Sequence, residues 1–266
     1  MRIFGRFAAA AALALVAAMP AAAQTEAEQA QIAAAVERGR LLYALDRAAA
    51  LATRDMFGRI ENPEDAGIDG FVIVPEGQDL AIIFYGAGAD GPEAIYRGIF
   101  RGGRIAEATV HPEGERPALS AVQRRMAAAR AAAGRANRQS CAQDAPFNVT
   151  VIPPEADDAP LEVYLFTPQT QRGRFPAGGH HRVVYTGDAV PAEERAFASG
   201  CQLLSAEGAV AGIETEALYL THPLDPVPTE VHMFLSLWTG KPLIVGAGGR
   251  SWRVDRDGIR LEADGQ

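Results

Sequence analysis

Residues 70–110 read "GFVIVPEGQDLAIIFYGAGADGPEAIYRGIFRGGRIAEATV", and the pattern of this stretch decides the fold class. Four short runs rich in β-branched and aromatic residues alternate with turns that contain glycine. Such runs are typical of strands, and the Arg101-Gly102-Gly103-Arg104 sequence is typical of a hairpin turn. We therefore predict a small antiparallel meander in this part of the chain.

Helical patterns lie on both sides of this stretch. Thr25 and Glu28 form a capping box, which predicts that a helix begins there. Apolar residues then recur at helical spacing, which predicts one long helix, or two helices broken near Gly39, ending near Phe57. A second helix is predicted near 117–137, with apolar residues on one face and arginines on the other.

The C-terminal part is predicted to be mostly β. Its candidate strands are "FNVTVIPP", "LEVYLFTP", "HRVVYTG", "ALYLTH", "VHMFLSLW", "PLIVGAG", "SWRVD" and "GIRLE". Asp257-Gly258 indicates a hairpin between the last two. Strands joined by short turns, with helices set apart from them, favour an α+β fold of antiparallel sheets, which we assign to a single domain over residues 24–266.

Residues 1–23 have the pattern of a Sec-type signal peptide. Arg2 and Arg6 precede an apolar run from Phe7 to Met19, and three alanines ending at Ala23 provide a cleavage site. The apolar run of about 13 residues is shorter than the ~20 that a spanning helix needs, although an uncleaved membrane anchor is the alternative. We expect a periplasmic or secreted protein, cleaved near Ala23, with no transmembrane segment after cleavage.

The charge of the exported part argues against two classes of partner. All 33 acidic residues and 23 of the 25 basic residues follow Ala23, which leaves a net charge of −10. Coulomb repulsion opposes the binding of such a chain to nucleic acid or anionic lipid. An envelope component or a small ligand is the expected partner.

Cys141 and Cys201 are the two cysteines of the chain. An even pair in an oxidising compartment predicts one disulfide bond. Metal-binding or redox thiols are the alternative, but redox pairs usually have the C-x-x-C spacing. Closing a loop of about 60 residues would stabilise the fold by roughly 4 kcal/mol in the chain-entropy model.

The familiar motifs of exported hydrolases do not occur in the sequence. It contains no G-x-S-x-G elbow, H-E-x-x-H helix, Walker A loop or EF-hand loop. Gly86–Gly91, "GAGADG", matches the dinucleotide-binding G-x-G-x-x-G pattern, but a strand pattern follows it where a helix is needed. We interpret it as a hairpin loop and predict no cofactor-binding residues.

The histidines provide the candidate catalytic chemistry. "THPLDPVPTEVH", residues 221–232, contains His222, Glu230 and His232, and a strand there would place Glu230 and His232 on one face. Either His180 or His181, in "AGGHHRVVY", could add a third nitrogen ligand and leave a fourth position for water. This set could hold a divalent transition metal such as zinc, which would activate water for hydrolysis.

A structural interpretation of the same residues is also open. Histidines next to prolines often bond to backbone groups, and the prolines of 221–232 lack N–H donors. "THPLDPVPTEVH" would then be a rigid entry to a strand. Similarly, Trp238, Trp252, Tyr164, Phe166 and Tyr185 could line a groove, but the predicted strands need aromatic residues for their core.

Four blocks of the C-terminal part carry a resemblance. They are "FTPQTQRGRFPAGGHHRV", "RAFASGC", "THPLDPVPTEVHMFLSLWTGKPLIV" and "WRVDRDGI". The chain resembles a family of exported proteins of Gram-negative bacteria for which no activity is assigned. The resemblance implies export and a single domain and leaves function open.

These observations favour a soluble envelope protein that binds a ligand or partner without catalysis. The alternative is a metal-dependent hydrolase using the His/Glu cluster, so the sequence leaves open whether the protein is an enzyme. Convergence of the histidines in a cleft would favour the hydrolase, and a groove elsewhere would favour the binding protein.

Overall fold

The structure is a computed structural model that describes residues 24–63, 65–142, 144–187, 189–206 and 215–262. The predicted signal peptide, residues 1–23, lies outside this part. The helices are α1 (Glu26–Arg59), α2 (Ala121–Arg135) and α3 (Glu230–Thr239). The strands are β1 (Ile68–Glu76), β2 (Asp79–Gly86), β3 (Glu93–Arg101), β4 (Arg104–Val110), β5 (Asn148–Val151), β6 (Leu161–Phe166), β7 (Arg174–Pro176), β8 (His181–Thr186), β9 (Val190–Ala196), β10 (Leu203–Ser205), β11 (Leu218–Thr221), β12 (Leu243–Ala247), β13 (Arg250–Asp255) and β14 (Gly258–Leu261). The predicted α+β class is confirmed.

Helix α1 is one continuous helix. It begins at the predicted capping box, where the Glu28 N–H donates to Thr25 Oγ1 and the Thr25 N–H donates to Glu28 Oε2, both at 3.1 Å. The helix passes through Gly39 without a break, and this glycine is the point where α1 lies against α3. A Cβ at Gly39 would lie 2.5 Å from Met233 Cβ. The sequence therefore places a glycine where two helices approach closely.

The predicted meander is the first sheet, in the order β1-β2-β3-β4 with antiparallel pairing throughout. Gly102 and Gly103 form the predicted β3–β4 turn and both have positive φ, which suits glycine. The loop that contains the "GAGADG" sequence joins β2 to β3 as an antiparallel hairpin. The strand-to-helix junction that a dinucleotide-binding loop requires does not occur at this loop.

Helix α2 lies between the first sheet and a second sheet, which has the order β5-β6-β8-β9. Its buried side, which includes Met126, packs with Val72 and Tyr85 of the first sheet and Val163 of the second. A larger core joins α1, α3 and the opposite faces of these sheets. The β6 strand therefore has an apolar face against α2 and another face turned away from it, toward α1 and α3.

A third sheet has the order β11-β12-β13-β14. The segment that joins its first two strands differs from the prediction, and this difference concerns the candidate site. The run beginning at Glu230 is predicted as a strand, but this prediction is wrong, because it forms α3 between the parallel strands β11 and β12. A short run in which six of ten residues are apolar suits either a strand or a partly buried helix. The helix begins after Thr229 and ends at Gly240, which has a left-handed conformation and donates its N–H to Ser236 O.

In the described part of the chain, no helix is both long enough and apolar enough to cross a bilayer. The disulfide predicted from the exported setting is present between Cys141 and Cys201, whose Cα atoms are 5.4 Å apart. It connects the segment after α2 to the segment before β10.

Asp46 of α1 carries a carboxyl whose burial raises its pKa to about 6. Because this pKa is higher in the folded chain than in the unfolded chain, stability falls as the pH rises from about 4 to about 6. We expect Asp46→Asn to raise the free energy of unfolding at pH 8 by on the order of 2 kcal/mol and to give no such gain at pH 4. Urea denaturation at both pH values measures this.

Glu37→Gln on an exposed position of the same helix is the control for Asp46. It should change stability little at either pH, because exposed charges contribute little. An equal gain at pH 8 and pH 4 would contradict the burial of the Asp46 carboxylate.

Candidate functional site

A large cleft lies between α1, the second sheet and the segment 225–230. Its volume is about 1050 Å³, at the upper end of the range of small-ligand sites. Helix α1 and the loop between β5 and β6 form two of its walls, and alternate residues of β6, β8 and β9 form its floor. The polar lining residues that concern function are Glu37, Arg38, Glu155, Glu162, Tyr164, Arg182, Glu193, Arg195, Asp225 and Glu230.

Tyr164 and Glu230 meet at the floor of this cleft. The Tyr164 hydroxyl donates to Glu230 Oε1 at 3.0 Å. Tyr164 is 1% exposed, and burial together with the charge of Glu230 raises its pKa far above the usual value for tyrosine. The phenol thus keeps its proton at neutral pH and holds the Glu230 carboxylate in one position.

The arginines of the cleft are neutralised within it. Glu162 Oε1 lies 2.9 Å from Arg38 Nη2, and its other oxygen lies 3.9 Å from Arg182 Nη1. Arg182 also pairs with Glu193. In the register of β8 and β9, Arg182 lies directly opposite Arg195, where like charges destabilise a sheet unless carboxylates separate them. The ion pairs of the floor therefore offset this repulsion.

Asp225 connects the cleft to the buried histidines. Its Oδ2 atom accepts from Arg195, and it lies 2.6 Å from Nε2 of His222. His222 is 2% exposed, and its ring makes an edge contact with the ring of His232 at a centroid distance of 4.5 Å. The segment 221–232 thus forms one wall of the cleft and is anchored by an internal chain of polar contacts.

His232 caps the helix that follows this segment. Its Nδ1 accepts the backbone N–H of Thr229 at 2.9 Å, as the glutamate of a capping box would. Burial, together with nearby His222, lowers the pKa of His232 well below its usual value. The ring is therefore neutral, and Nδ1 is occupied as an acceptor.

His180 has a similar structural role at the other end of the site. Its Nδ1 accepts the Thr167 N–H at 3.1 Å, and Nε2 lies 3.0 Å from the Pro176 carbonyl, to which it donates. Burial lowers the pKa of His180 to about 4. Both ring nitrogens are engaged with backbone groups, so this histidine holds two loops together.

The two glycines before His180 allow the chain to approach the disulfide. A Cβ at Gly178 would lie 2.1 Å from the Gly200 carbonyl oxygen. Gly179 has a φ of +70°, and a Cβ there would lie 2.8 Å from the Cys141 nitrogen. The "GGH" sequence is therefore explained by close backbone packing and a buried imidazole.

The structure brings some of the proposed metal ligands together. His222 and His232 are in ring contact, and His180 lies near enough that its protonation would lower the pKa of His232 further. Glu230 projects away from His232, because residues two apart in a helix point about 200° from each other. Its carboxylate contacts Tyr164 instead. Within the described residues, no group of three or more His, Cys, Asp or Glu side chains could hold a metal ion. The metal set of His180, His222, Glu230 and His232 stays a prediction, while the bonds to their rings are structural.

His181, the other candidate of the "HH" pair, lies outside the cleft lining. Its Nε2 atom lies 3.0 Å from the Gln139 carbonyl, and its ring makes an edge contact with Phe147.

Tyr164 is a candidate groove residue from the sequence and lines the cleft, but Glu162 and Arg182 of the same cleft were not singled out, although a signal for them exists. Along β6, Glu162 and Tyr164 alternate with Leu161 and Val163, so they share one face. Arg182 occupies the equivalent face of β8. Polar residues on the same face of two neighbouring central strands indicate a polar cleft. That α1 covers this face could not be read from the pattern.

Comparison of the chain with protein-family models, with curated proteins and with solved structures finds no match. The fold and the cleft therefore carry the functional argument by themselves.

Proposed function

We propose that the protein is an exported binding protein that holds a small ligand in the cleft between α1 and the second sheet, without catalysis. The cleft itself is the observation that carries this proposal, because its volume of about 1050 Å³ suits a small ligand. Its floor is fixed by ion pairs and by the Tyr164–Glu230 hydrogen bond. A preformed, rigid floor lowers the entropic cost of binding.

The positions of the reactive groups also favour binding over hydrolysis. The buried histidines bond to backbone groups or to Asp225, away from an open position for substrate. Glu230 contacts a protonated tyrosine, which orients it but does not make it a general base paired with a nucleophile. The proposed export agrees with the disulfide, which persists in oxidising compartments.

A cleft-filling substitution tests this function without knowledge of the ligand. Ala34 is an exposed residue of α1 that lines the cleft, so Ala34→Trp would place an indole ring in it. We expect ligand-observed NMR with a library of cationic, anionic and neutral solutes to detect binders of the wild type. These signals should disappear in Ala34→Trp.

Ala50→Trp is the matched control, since Ala50 is exposed on the same helix but does not line the cleft. It should retain the binders. Absence of any binder in the wild type, or binding that survives Ala34→Trp, would refute the proposed use of the cleft.

A further inference from the structure

We propose that the ligand of the cleft is an organic cation with an aliphatic stem, such as a linear diamine, whose ammonium group pairs with Glu230. This inference rests on the proposed binding function and names the chemical class of the ligand. Three features of the cleft carry it: the state of Glu230, the balance of charge in the lining and the apolar walls.

The Glu230 carboxylate is held in position but has no basic partner among the described residues. It is half-buried, and the Tyr164 hydroxyl occupies only its Oε1 atom. Among the described residues, no basic side chain forms an ion pair with it. As the first residue of α3, Glu230 is stabilised by the N-terminal end of the helix but has no basic partner, and a ligand ammonium would supply the opposite charge and hydrogen bonds to its Oε2 atom.

The rest of the lining favours the same sign of ligand charge. It contains six carboxylates against three arginines. Each arginine is already paired: Arg38 with Glu162, Arg182 with Glu162 and Glu193, and Arg195 with Asp225. The carboxylates of Glu37 and Glu155 at the exposed rim form no ion pair within the described part of the chain. An anionic ligand would have to displace existing pairs, whereas a cation would not.

The walls of the cleft suit a hydrocarbon stem. Apolar lining residues lie beside the carboxylates, namely Ala34, Leu41, Ile152, Pro153, Pro154, Pro160, Val184 and Pro226. A bare metal ion would gain nothing from such walls. A methylene chain that ends in an ammonium group would contact the apolar surface along its length and the carboxylates at its ends. The combination of charge and apolar surface therefore selects an alkylamine over an inorganic cation.

Three solutes with a chain of five carbons test the class of ligand by isothermal titration calorimetry. They are 1,5-diaminopentane, pentane-1,5-diol and glutarate, whose ends are positively charged, neutral and negatively charged. We expect the wild-type chain to bind the diamine at least about tenfold more tightly than the diol or glutarate. The affinity for the diamine should fall with added salt, and the affinity for the diol should not.

Glu230→Gln is the decisive variant, because a glutamine can still accept the Tyr164 hydrogen bond while losing the charge. We expect it to weaken diamine binding at least about tenfold and to leave diol binding unchanged. Glu37→Gln at the exposed rim should weaken it less, and it provides a second test if the first variant misfolds. Glu113→Gln, which removes an exposed charge outside the cleft, should have no effect.

The outcomes separate this inference from the proposed function. Equal affinity for the three solutes, no diamine binding, or a diamine affinity unchanged in Glu230→Gln would overturn the cationic class. If solutes of another class still bind and Ala34→Trp abolishes their binding, the binding function stands. Diamine binding that survives Ala34→Trp would place the amine elsewhere and overturn the inference.

Discussion

Between pH 6.5 and pH 4, His180 alone is expected to lower the free energy of unfolding by on the order of 3 kcal/mol. Burial lowers its pKa to about 4, while an unfolded histidine titrates near its ordinary value of 6.5. In this window the unfolded chain binds more protons, so stability is full above about pH 6.5 and is lost as the pH falls. His232 acts in the same direction, because burial lowers its pKa too.

The difference in free energy of unfolding between the wild type and His180→Asn isolates the contribution of His180. Asp46, whose effect on stability has the opposite pH dependence, is present in both proteins. Asparagine can accept the Thr167 N–H but does not titrate in this range. We expect the variant to be less stable than the wild type at pH 7.5, since the bond to Pro176 is lost. This difference in free energy of unfolding should be smaller by about 2 to 3 kcal/mol at pH 4.5, because only the wild type has a buried histidine that opposes protonation there. Urea denaturation followed by circular dichroism, with the disulfide intact, gives both values.

His181→Asn is the control for the loss of a histidine side chain. This neighbouring histidine is half-exposed and bonds to the Gln139 carbonyl through one ring nitrogen, so its replacement should lower the free energy of unfolding at pH 7.5 much less than His180→Asn. A gap between wild type and His180→Asn that stays constant from pH 7.5 to pH 4.5 would show that His180 is not buried as a neutral ring.

We expect Gly39→Ala to destabilise the protein by about 3 kcal/mol, although alanine is the better helix former. The new Cβ would lie 2.5 Å from Met233 Cβ and 2.6 Å from the Glu230 carbonyl oxygen, so α1 and α3 would have to separate. Both neighbours belong to the backbone or the base of a side chain, and a rotamer change cannot relieve the overlap. Separation of α1 from α3 at this point should also displace Glu230 from its place in the cleft.

Gly58→Ala in the same helix is the matched control. A Cβ at Gly58 would have no atom within 4 Å, so only helix propensity should act. We expect a gain in stability of up to about 1 kcal/mol. Urea denaturation of the two variants should therefore give changes of opposite sign. A gain in both would mean that α1 and α3 do not pack closely at Gly39.

Much of the fold could be predicted from local pattern. The capping box at Thr25, the glycine turn at Gly102 and the alternating runs of the meander depend on interactions between neighbours in sequence, and the structure confirms them. Strand β9 was not predicted, because its exposed charges do not resemble a strand. Those charges have partners on other segments: Glu193 pairs with Arg182, and Arg195 pairs with Asp225.

The candidate site was predicted only in part. Residue type was enough to select His222, Glu230 and His232 as polar groups in an apolar setting. The error in the α3 assignment reversed their geometry, since strand spacing aligns Glu230 with His232 and helical spacing separates them. A ten-residue, mainly apolar run between two parallel strands forms a helix, because a parallel pair needs a long crossover connection. The sequence pattern does not show that these two strands pair.

By itself, the sequence determined the α+β class, the long first helix, the pairing of the two cysteines and the excess of negative charge. These properties depend on composition and on contacts within a few residues. The disulfide follows because two cysteines can form only one intramolecular pair. The tertiary structure alone decided that α1 covers the polar face of the second sheet, that the arginines there are already neutralised, and that Glu230 has no ion pair among the described residues. These facts depend on side chains far apart in sequence, such as Arg38 and Glu162, whose proximity arises only when the helices and sheets pack together.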